Sequence, residues 1–158
     1  MGLMDLFKKK EFNDDQIVSI VDGDMISPSE INDPMFSQEM MGKTIGFKLD
    51  GDTIVAPING TLSVMYPTGH AFGIKQENGL SVLVHIGIDT VELNGKYFKT
   101  FHKQGDSVKA GDVVVKINKA EIEKAGYDTT TMLIITKQVG NQEFISNRHI
   151  NKGELITK

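Results

Sequence analysis

The chain is punctuated by residues that make the backbone reverse. Asp22-Gly23-Asp24, Asp50-Gly51-Asp52, Asn59-Gly60 and Glu77-Asn78-Gly79 are all turn formers. Gly reaches positive φ without steric cost, and Asn and Asp tolerate it. With the loop signals Ser27-Pro28-Ser29 and Asn32-Asp33-Pro34, such breaks recur at a spacing of roughly 8–12 residues. A helix of several turns has little room between them, whereas a short strand fits. The spacing predicts an all-β fold, a compact antiparallel sandwich or barrel with short helical turns. The 16 glycines among 158 residues fit the same reading.

Between the breaks, strands are predicted at Ile17 to Val21, Gly46 to Leu49, Thr53 to Ala56, Thr61 to Tyr66, Ala71 to Gln76, Ser81 to His85, Tyr97 to His102, Val113 to Ile117 and Met132 to Thr136. Asp50-Gly51-Asp52 and Glu77-Asn78-Gly79 read as hairpin turns. Lys119 to Ala125 is the plausible helix, and Phe36 to Met41 an irregular turn or short helix. A weak internal echo links DGDTIVAPINGTL at Asp50 to Leu62 with QGDSVKAGDVVVKI at Gln104 to Ile117. It is compatible with two related hairpin units. Residues 1–15 are expected to form a tail, and 16–158 a single domain. In the tail, Leu3, Met4, Leu6 and Phe7 share one helix face beside three lysines. That pattern suits contact with an anionic membrane surface, and equally a solvated chain end.

Several function classes drop out on composition. There is no Cys, which removes disulfides, thiolate zinc sites, iron–sulfur clusters and a Cys nucleophile. A net charge of −4 gives no general attraction for nucleic-acid phosphates. No apolar run approaches the roughly 18 residues of a membrane span. Met1 to Lys10 lacks the apolar stretch of a signal peptide, so a cytoplasmic location is expected. Four histidines remain: His70, His85, His102 and His149.

The most informative stretch is GLSVLVHIGIDTV, Gly79 to Val91. Ser81 to His85 is nearly continuous strand text, so it is expected to be largely buried. His85 follows Val84 and precedes Ile86-Gly87. Gly87 lets a carbonyl approach the ring and hold one nitrogen, which fixes the tautomer and frees the other. If the turn centres near Asn78, position 85 lies opposite 71 or 70, and cross-strand partners sit about 4.5–5.5 Å apart at Cβ. His70 and His85 are therefore expected to be neighbours, with Thr68 beside them. Two imidazoles are half of a zinc site, which wants four ligands, the rest coming from Asp89 or a partner. Alternatively, a neutral imidazole accepts a phosphoryl group while the second imidazole and Thr68 stabilise the phosphoryl oxygens. No GxxxxGK[ST] loop is present, so the phosphoryl donor is more plausibly a protein than ATP. No GxSxG elbow supports a serine hydrolase.

These residues resemble those of a known family. Gly79 to Val91 is similar to the active-site signature of the glucose-type IIA proteins of the bacterial phosphoenolpyruvate-dependent sugar phosphotransferase system. Ile54 to Thr61, Thr68 to Phe72, Val91 to Phe101 and Gly105 to Gly111 continue the likeness, which covers nearly the whole domain. The resemblance implies a barrel-like antiparallel β-sandwich, a duplicated hybrid motif. It implies that His85 receives phosphate on Nε2 from phospho-HPr and passes it to the IIB domain of a glucose-type sugar permease. His70 would be the auxiliary histidine, Thr68 its orienting partner, and the Gly87 carbonyl the anchor of His85. Asp33 and Asp89 would pair with basic residues of the carrier. Phe36, Met40, Met41, Tyr66, Leu83 and Val91 would form an apolar docking rim. Tyr66 and Leu83 stand where phenylalanines occur in an enteric member, and Met40-Met41 where branched aliphatics do. No cofactor is required, although His70 and His85 would share zinc with a partner carboxylate. Regulatory binding to other proteins is also implied.

Two alternatives stand beside this expectation. One is a zinc hydrolase on a related sandwich, which lacks here the HxH pair such peptidases carry. The other is a non-catalytic regulatory module. Asp33 and Asp89 also read as ordinary solvated charges, and Tyr66, Leu83 and Val91 as ordinary core. His102 and His149, in polar surroundings, read as surface residues.

Overall fold

A computed structural model describes residues 16–158. The tail expectation, including its amphipathic face, lies outside the described residues. Eight strands form one sheet: β1 (Gly23–Ile26), β2 (Lys43–Leu49), β4 (Gly60–Met65), β5 (Ala71–Lys75), β6 (Ser81–Ile86), β8 (Ser107–Val108), β10 (Thr131–Lys137) and β11 (His149–Ile150). Their order is β11-β1-β2-β10-β6-β5-β4-β8. The second sheet has three, β3 (Thr53–Val55), β9 (Val113–Ile117) and β7 (Phe98–Thr100), in the order β3-β9-β7. All pairings between these strands are antiparallel. The helices are short, α1 (Pro34–Ser37) and α2 (Lys119–Lys124), with 3₁₀ turns at Pro28–Glu30 and Thr90–Leu93. The fold is thus the antiparallel β-sandwich that the turn spacing predicts.

Apolar packing divides in two. Phe47, Leu62, Phe72, Ile74, Val82, Val84, Ile86 and Leu133 of the large sheet pack with Ile54, Val114, Val115 and Ile117 of the small one. A smaller cluster of Ile26, Ile31, Phe36, Ile88, Met132 and Ile134, with Leu83 against it, covers the other face of the large sheet. In β6, Val82, Val84 and Ile86 are buried in the main core, whereas Ser81, Leu83 and His85 are half-buried on the opposite face. The expectation of a largely buried strand is therefore corrected. Side chains alternate across a strand, and only one face of β6 is fully covered.

Two further expectations are corrected. Ile17 to Val21 is not a strand: Val18 makes a single bridge to Leu155, and the Ser19 hydroxyl turns back to the Val21 carbonyl at 2.7 Å. Ile17, Val18, Ile20 and Val21 are all fully buried, a pattern without the alternation of a half-covered strand. The first strand is β1, which begins at Gly23. A Cβ there would meet the Lys48 carbonyl oxygen at 2.1 Å, so this glycine permits close pairing with β2 rather than a reversal. Nor does Asp50-Gly51-Asp52 close a hairpin. β2 pairs with β1 and β10 while β3 pairs with β9, so the turn carries the chain from one sheet to the other.

The echoed segments meet. β3 of the first pairs with β9 of the second, in the register Thr53↔Lys116 and Ile54↔Val115. β8 of the second pairs with β4 of the first, in the register Gly60↔Val108 and Thr61↔Ser107. Between the pairings, Ala56 N–H donates to the Asp112 carbonyl and Gly111 N–H to the Ala56 carbonyl, both at 2.8 Å. The two units thus run antiparallel and exchange strands reciprocally, one exchange in each sheet.

Candidate functional site

The β5–β6 hairpin has the register Ala71↔His85 and Phe72↔Val84. On the other side, His85 stands opposite Met132 of β10. His70 immediately precedes β5, and its carbonyl accepts from Ile86 N–H at 2.7 Å. The hairpin therefore delivers both imidazoles to one place. Their ring centroids are 5.1 Å apart with an interplanar angle of 82°. Phe36 lies 5.0 Å from the His85 ring, and Tyr66 5.2 Å edge-on from the His70 ring.

Each ring is held by one nitrogen. His85 Nδ1 lies 2.8 Å from the Gly87 carbonyl, which only accepts, so Nδ1 carries the proton and Nε2 keeps its lone pair. Gly87 has φ +79°, and a Cβ there would meet Thr90 Cγ2 at 2.4 Å and the Asp128 carbonyl oxygen at 3.0 Å. The loop after β6 is pinned from outside. Gly87 N–H donates to the Thr130 carbonyl at 3.1 Å and Ile88 N–H to the Asp128 carbonyl at 2.9 Å. The Thr90 hydroxyl donates back to the Ile86 carbonyl. His70 Nδ1 lies 2.5 Å from Thr68 Oγ1. Thr68 is placed by the turn that ends β4, where Gly69 N–H donates to the Tyr66 carbonyl at 2.8 Å and Gly69 takes φ +72°.

Burial and the neighbouring His85 lower the pKa of His70 from 6.5 to about 4. The His70 ring is thus neutral at neutral pH. Its Nδ1 shares a hydrogen bond with the Thr68 hydroxyl, which fixes the ring's orientation and leaves Nε2 unengaged by Thr68. Burial also lowers the pKa of His85, while the Gly87 carbonyl, Asp33 and Asp89 pull it the other way without reversing the direction. His85 thus offers a free lone pair on Nε2 in an apolar setting, near two carboxylates that favour any positive charge developing on its ring.

The rings open into a depression of about 280 Å³, lined by Asp33, Met35, Phe36, Met41, Tyr66, His70, Ala71, Leu83, His85, Asp89 and Val91. Asp33 caps α1, accepting from Met35 N–H at 2.9 Å with Pro34 next in the helix. That cap turns Phe36 inward and leaves Met35 outside. Phe36 is buried beneath the His85 ring rather than standing on an exposed rim. Met41, Tyr66 and Val91 are exposed lining residues, and Leu83 is half-buried. Met40 is exposed but does not line the depression. Sequence reasoning missed Met35, whose signal is the Asp-Pro helix start at residues 33–34. It also missed Asp128 and Thr130, which act through backbone carbonyls that leave no trace in residue type. Among the described residues, no three His, Cys, Asp or Glu side chains converge to hold a metal ion. Zinc at this pair would need ligands from a partner, and the hydrolase alternative lacks its ligand set.

Comparison with known proteins agrees with the geometry. Residues 15–140 match the family model described as phosphoenolpyruvate-dependent sugar phosphotransferase system, EIIA 1. A glucose-specific EIICBA component from Streptococcus pneumoniae is 42% identical over 122 residues, which are 77% of this chain and 17% of that one. A glucose-specific EIIA component from Staphylococcus epidermidis is 35% identical over 143 residues, covering 90% of this chain and 84% of that one. The solved glucose permease IIA from Mycoplasma capricolum superposes with a TM-score of 0.86 at 29% identity, covering 90% of this chain and 93% of that one. The chain spans only 17% to 23% of the length of several multidomain relatives it matches.

Proposed function

The chain belongs to the EIIA 1 family of the phosphoenolpyruvate-dependent sugar phosphotransferase system, and from that premise we propose that it is a cytoplasmic phosphocarrier whose phosphorylated atom is Nε2 of His85. The observation that carries this reading is the apposed pair, His70 and His85, each anchored through Nδ1 at an apolar depression. Phospho-HPr is the donor and the IIB domain of a glucose-type permease the acceptor.

The lone pair of His85 Nε2 attacks phosphorus. The Nε2–P bond forms, and the bond from phosphorus to the donor breaks with its electrons leaving on the donor. Positive charge develops on the ring, and the Gly87 carbonyl at Nδ1–H, with Asp33 and Asp89, stabilises it. No proton has to leave His85, because the anchored nitrogen keeps its own. The Nε2–H of His70, its ring oriented by the Thr68 hydroxyl, donates to a phosphoryl oxygen. Donation to IIB reverses the steps: the acceptor's nucleophile attacks phosphorus and His85 recovers its lone pair. The apolar surround keeps water from the phosphorylated ring.

Docking falls to the apolar lining residues, with Asp33 and Asp89 facing basic residues of the carrier. Phosphorylation adds roughly two negative charges at the floor of that surface, a switch for regulatory partners that bind one state. The test is phosphotransfer from phosphoenolpyruvate through purified enzyme I and HPr, followed by intact mass and acid lability. One acid-labile phosphate, mapped to His85, is expected. A wild-type chain that takes up none removes the proposal.

A further inference from the structure

Met35 and Met41 line the depression, and Met40 stands next to Met41 in the chain outside it. Met35 is 48% exposed, Met40 69% and Met41 38%. They stand within seven residues of one another, on and after α1, the segment whose Phe36 packs on the His85 ring. By contrast, Met132 is 0% exposed beneath the same site and Met25 is 4% exposed. The chain contains no Cys, so thioethers are the sulfur that an oxidant can reach.

We propose that Met35, Met40 and Met41 form a modification site, at which oxidation to methionine sulfoxide by peroxide weakens docking of the phosphoryl carrier. This rests on the phosphocarrier reading above. The thioether sulfur attacks one peroxide oxygen. An S–O bond forms, the O–O bond breaks, and the proton of the sulfur-bound hydroxyl passes to the leaving hydroxide, giving sulfoxide and water. Sulfur loses two electrons and peroxide gains them.

The physical consequence follows from what the rim does. A thioether is apolar and conformationally adaptable, which suits it to packing against a partner. A sulfoxide carries a strongly polar oxygen that must be stripped of water when the surfaces meet. The phosphorylation chemistry is untouched, because neither His70 nor His85 is altered. Oxidation therefore acts on encounter with the donor and leaves the step at phosphorus unchanged.

The test uses the full chain, treated with hydrogen peroxide under native conditions and mapped by peptide mass spectrometry. Sulfoxide is expected at Met35, Met40 and Met41 well before Met25 and Met132. The KM for phospho-HPr should rise roughly tenfold, as about 1.4 kcal/mol of lost docking implies, with kcat little changed. Reduction by methionine sulfoxide reductases should restore it. The M35L/M40L/M41L variant supplies its own baseline, and its treated and untreated rates should agree. Unphosphorylated HPr, added before peroxide, should slow sulfoxide formation at the three sites. An unchanged KM despite mapped sulfoxide, or an equal loss in the Leu variant, overturns the proposal. The untreated protein tests the phosphocarrier reading separately, since its failure to accept phosphate appears without any oxidant.

Discussion

His70 and His149 show how far the surroundings decide what an imidazole does. His70 is 3% exposed and packed edge-on against Tyr66 and His85. His149 lies at the open edge of the large sheet, its Nδ1 2.8 Å from Asp24 and 3.4 Å from Asp50. Burial lowers the pKa of the first to about 4, whereas the hydrogen bond to Asp24 and the neighbouring carboxylates raise that of the second. A carboxylate-held imidazole favours its protonated, non-nucleophilic form. The apposed apolar pair stays neutral and keeps lone pairs. The difference teaches that burial and carboxylate contact sort these histidines: burial favours the neutral ring, and a neighbouring carboxylate favours the protonated one.

The strongest way to break this comparison is to exchange the fates of the two classes. His85→Gln should take up no acid-labile phosphate, whereas His149→Gln should take up as much as wild type, both read by intact mass. Phosphate on the first variant would mean that the anchored ring is not the acceptor. Next in size, His70→Gln should still be phosphorylated but should donate to IIB roughly 10²–10⁴-fold more slowly, the usual worth of one positioned donor or acid. Equal donation in a single-turnover assay would leave His70 as packing alone. Gly87→Ala probes the carbonyl anchor. The methyl group meets Thr90 and Asp128 while φ +79° disfavours any side chain, so about 2 kcal/mol of stability should be lost in urea unfolding. His85 should lose its reactivity alongside.

The smallest effects concern pH, and the two histidines should act with opposite sign. The native ring of His70 titrates at about 4, against 6.5 when unfolded. Between these values the unfolded chain binds the extra proton. The stability that His70 protects is therefore intact above pH 6.5 and is lost as pH falls to about 4. His149 has a raised native pKa. Its contribution is complete below pH 6.5 and fades as pH rises through the native value. Ring-proton NMR titration should show His149 protonating first as pH falls, and Asp24→Asn should lower its midpoint. A His70 midpoint at or above 6.5 would contradict the burial that sets the pair apart.

Much of the site was legible because hairpin register is arithmetic. Glu77-Asn78-Gly79 places residue 85 opposite residue 71 or 70; the observed partner is Ala71, and His70 reaches the same face because it sits just outside β5, after the turn at Gly69. The fold class was legible because turn residues are spaced too closely for long helices. Gly23 was misread, since a glycine that lets two strands approach looks the same as one that reverses the chain. Asp50-Gly51-Asp52 does turn the backbone, but which sheet receives the next strand depends on β9, some 60 residues later. Phe36 and Met35 are adjacent apolar letters. Only the helix cap at Asp33 decides which of them faces the ring and which faces solvent.

The reciprocal exchange of strands between the two echoed units has a consequence for how the chain acquires its shape. β3 and β4 are made early, yet β3 finds its antiparallel partner only in β9, and the outer edge of β4 only in β8. During synthesis the edges of the two strands therefore wait, unpaired, until about 60 further residues have emerged for β3 and about 50 for β4. Closing such distant pairs is slow, because the entropy of the intervening loop is lost before the contacts form. The strands of the large sheet that meet across longer stretches still, β2 with β10 and β1 with β11, wait longest, and the consecutive β4–β5–β6 strands, which bring the two histidines together, are expected to order before them.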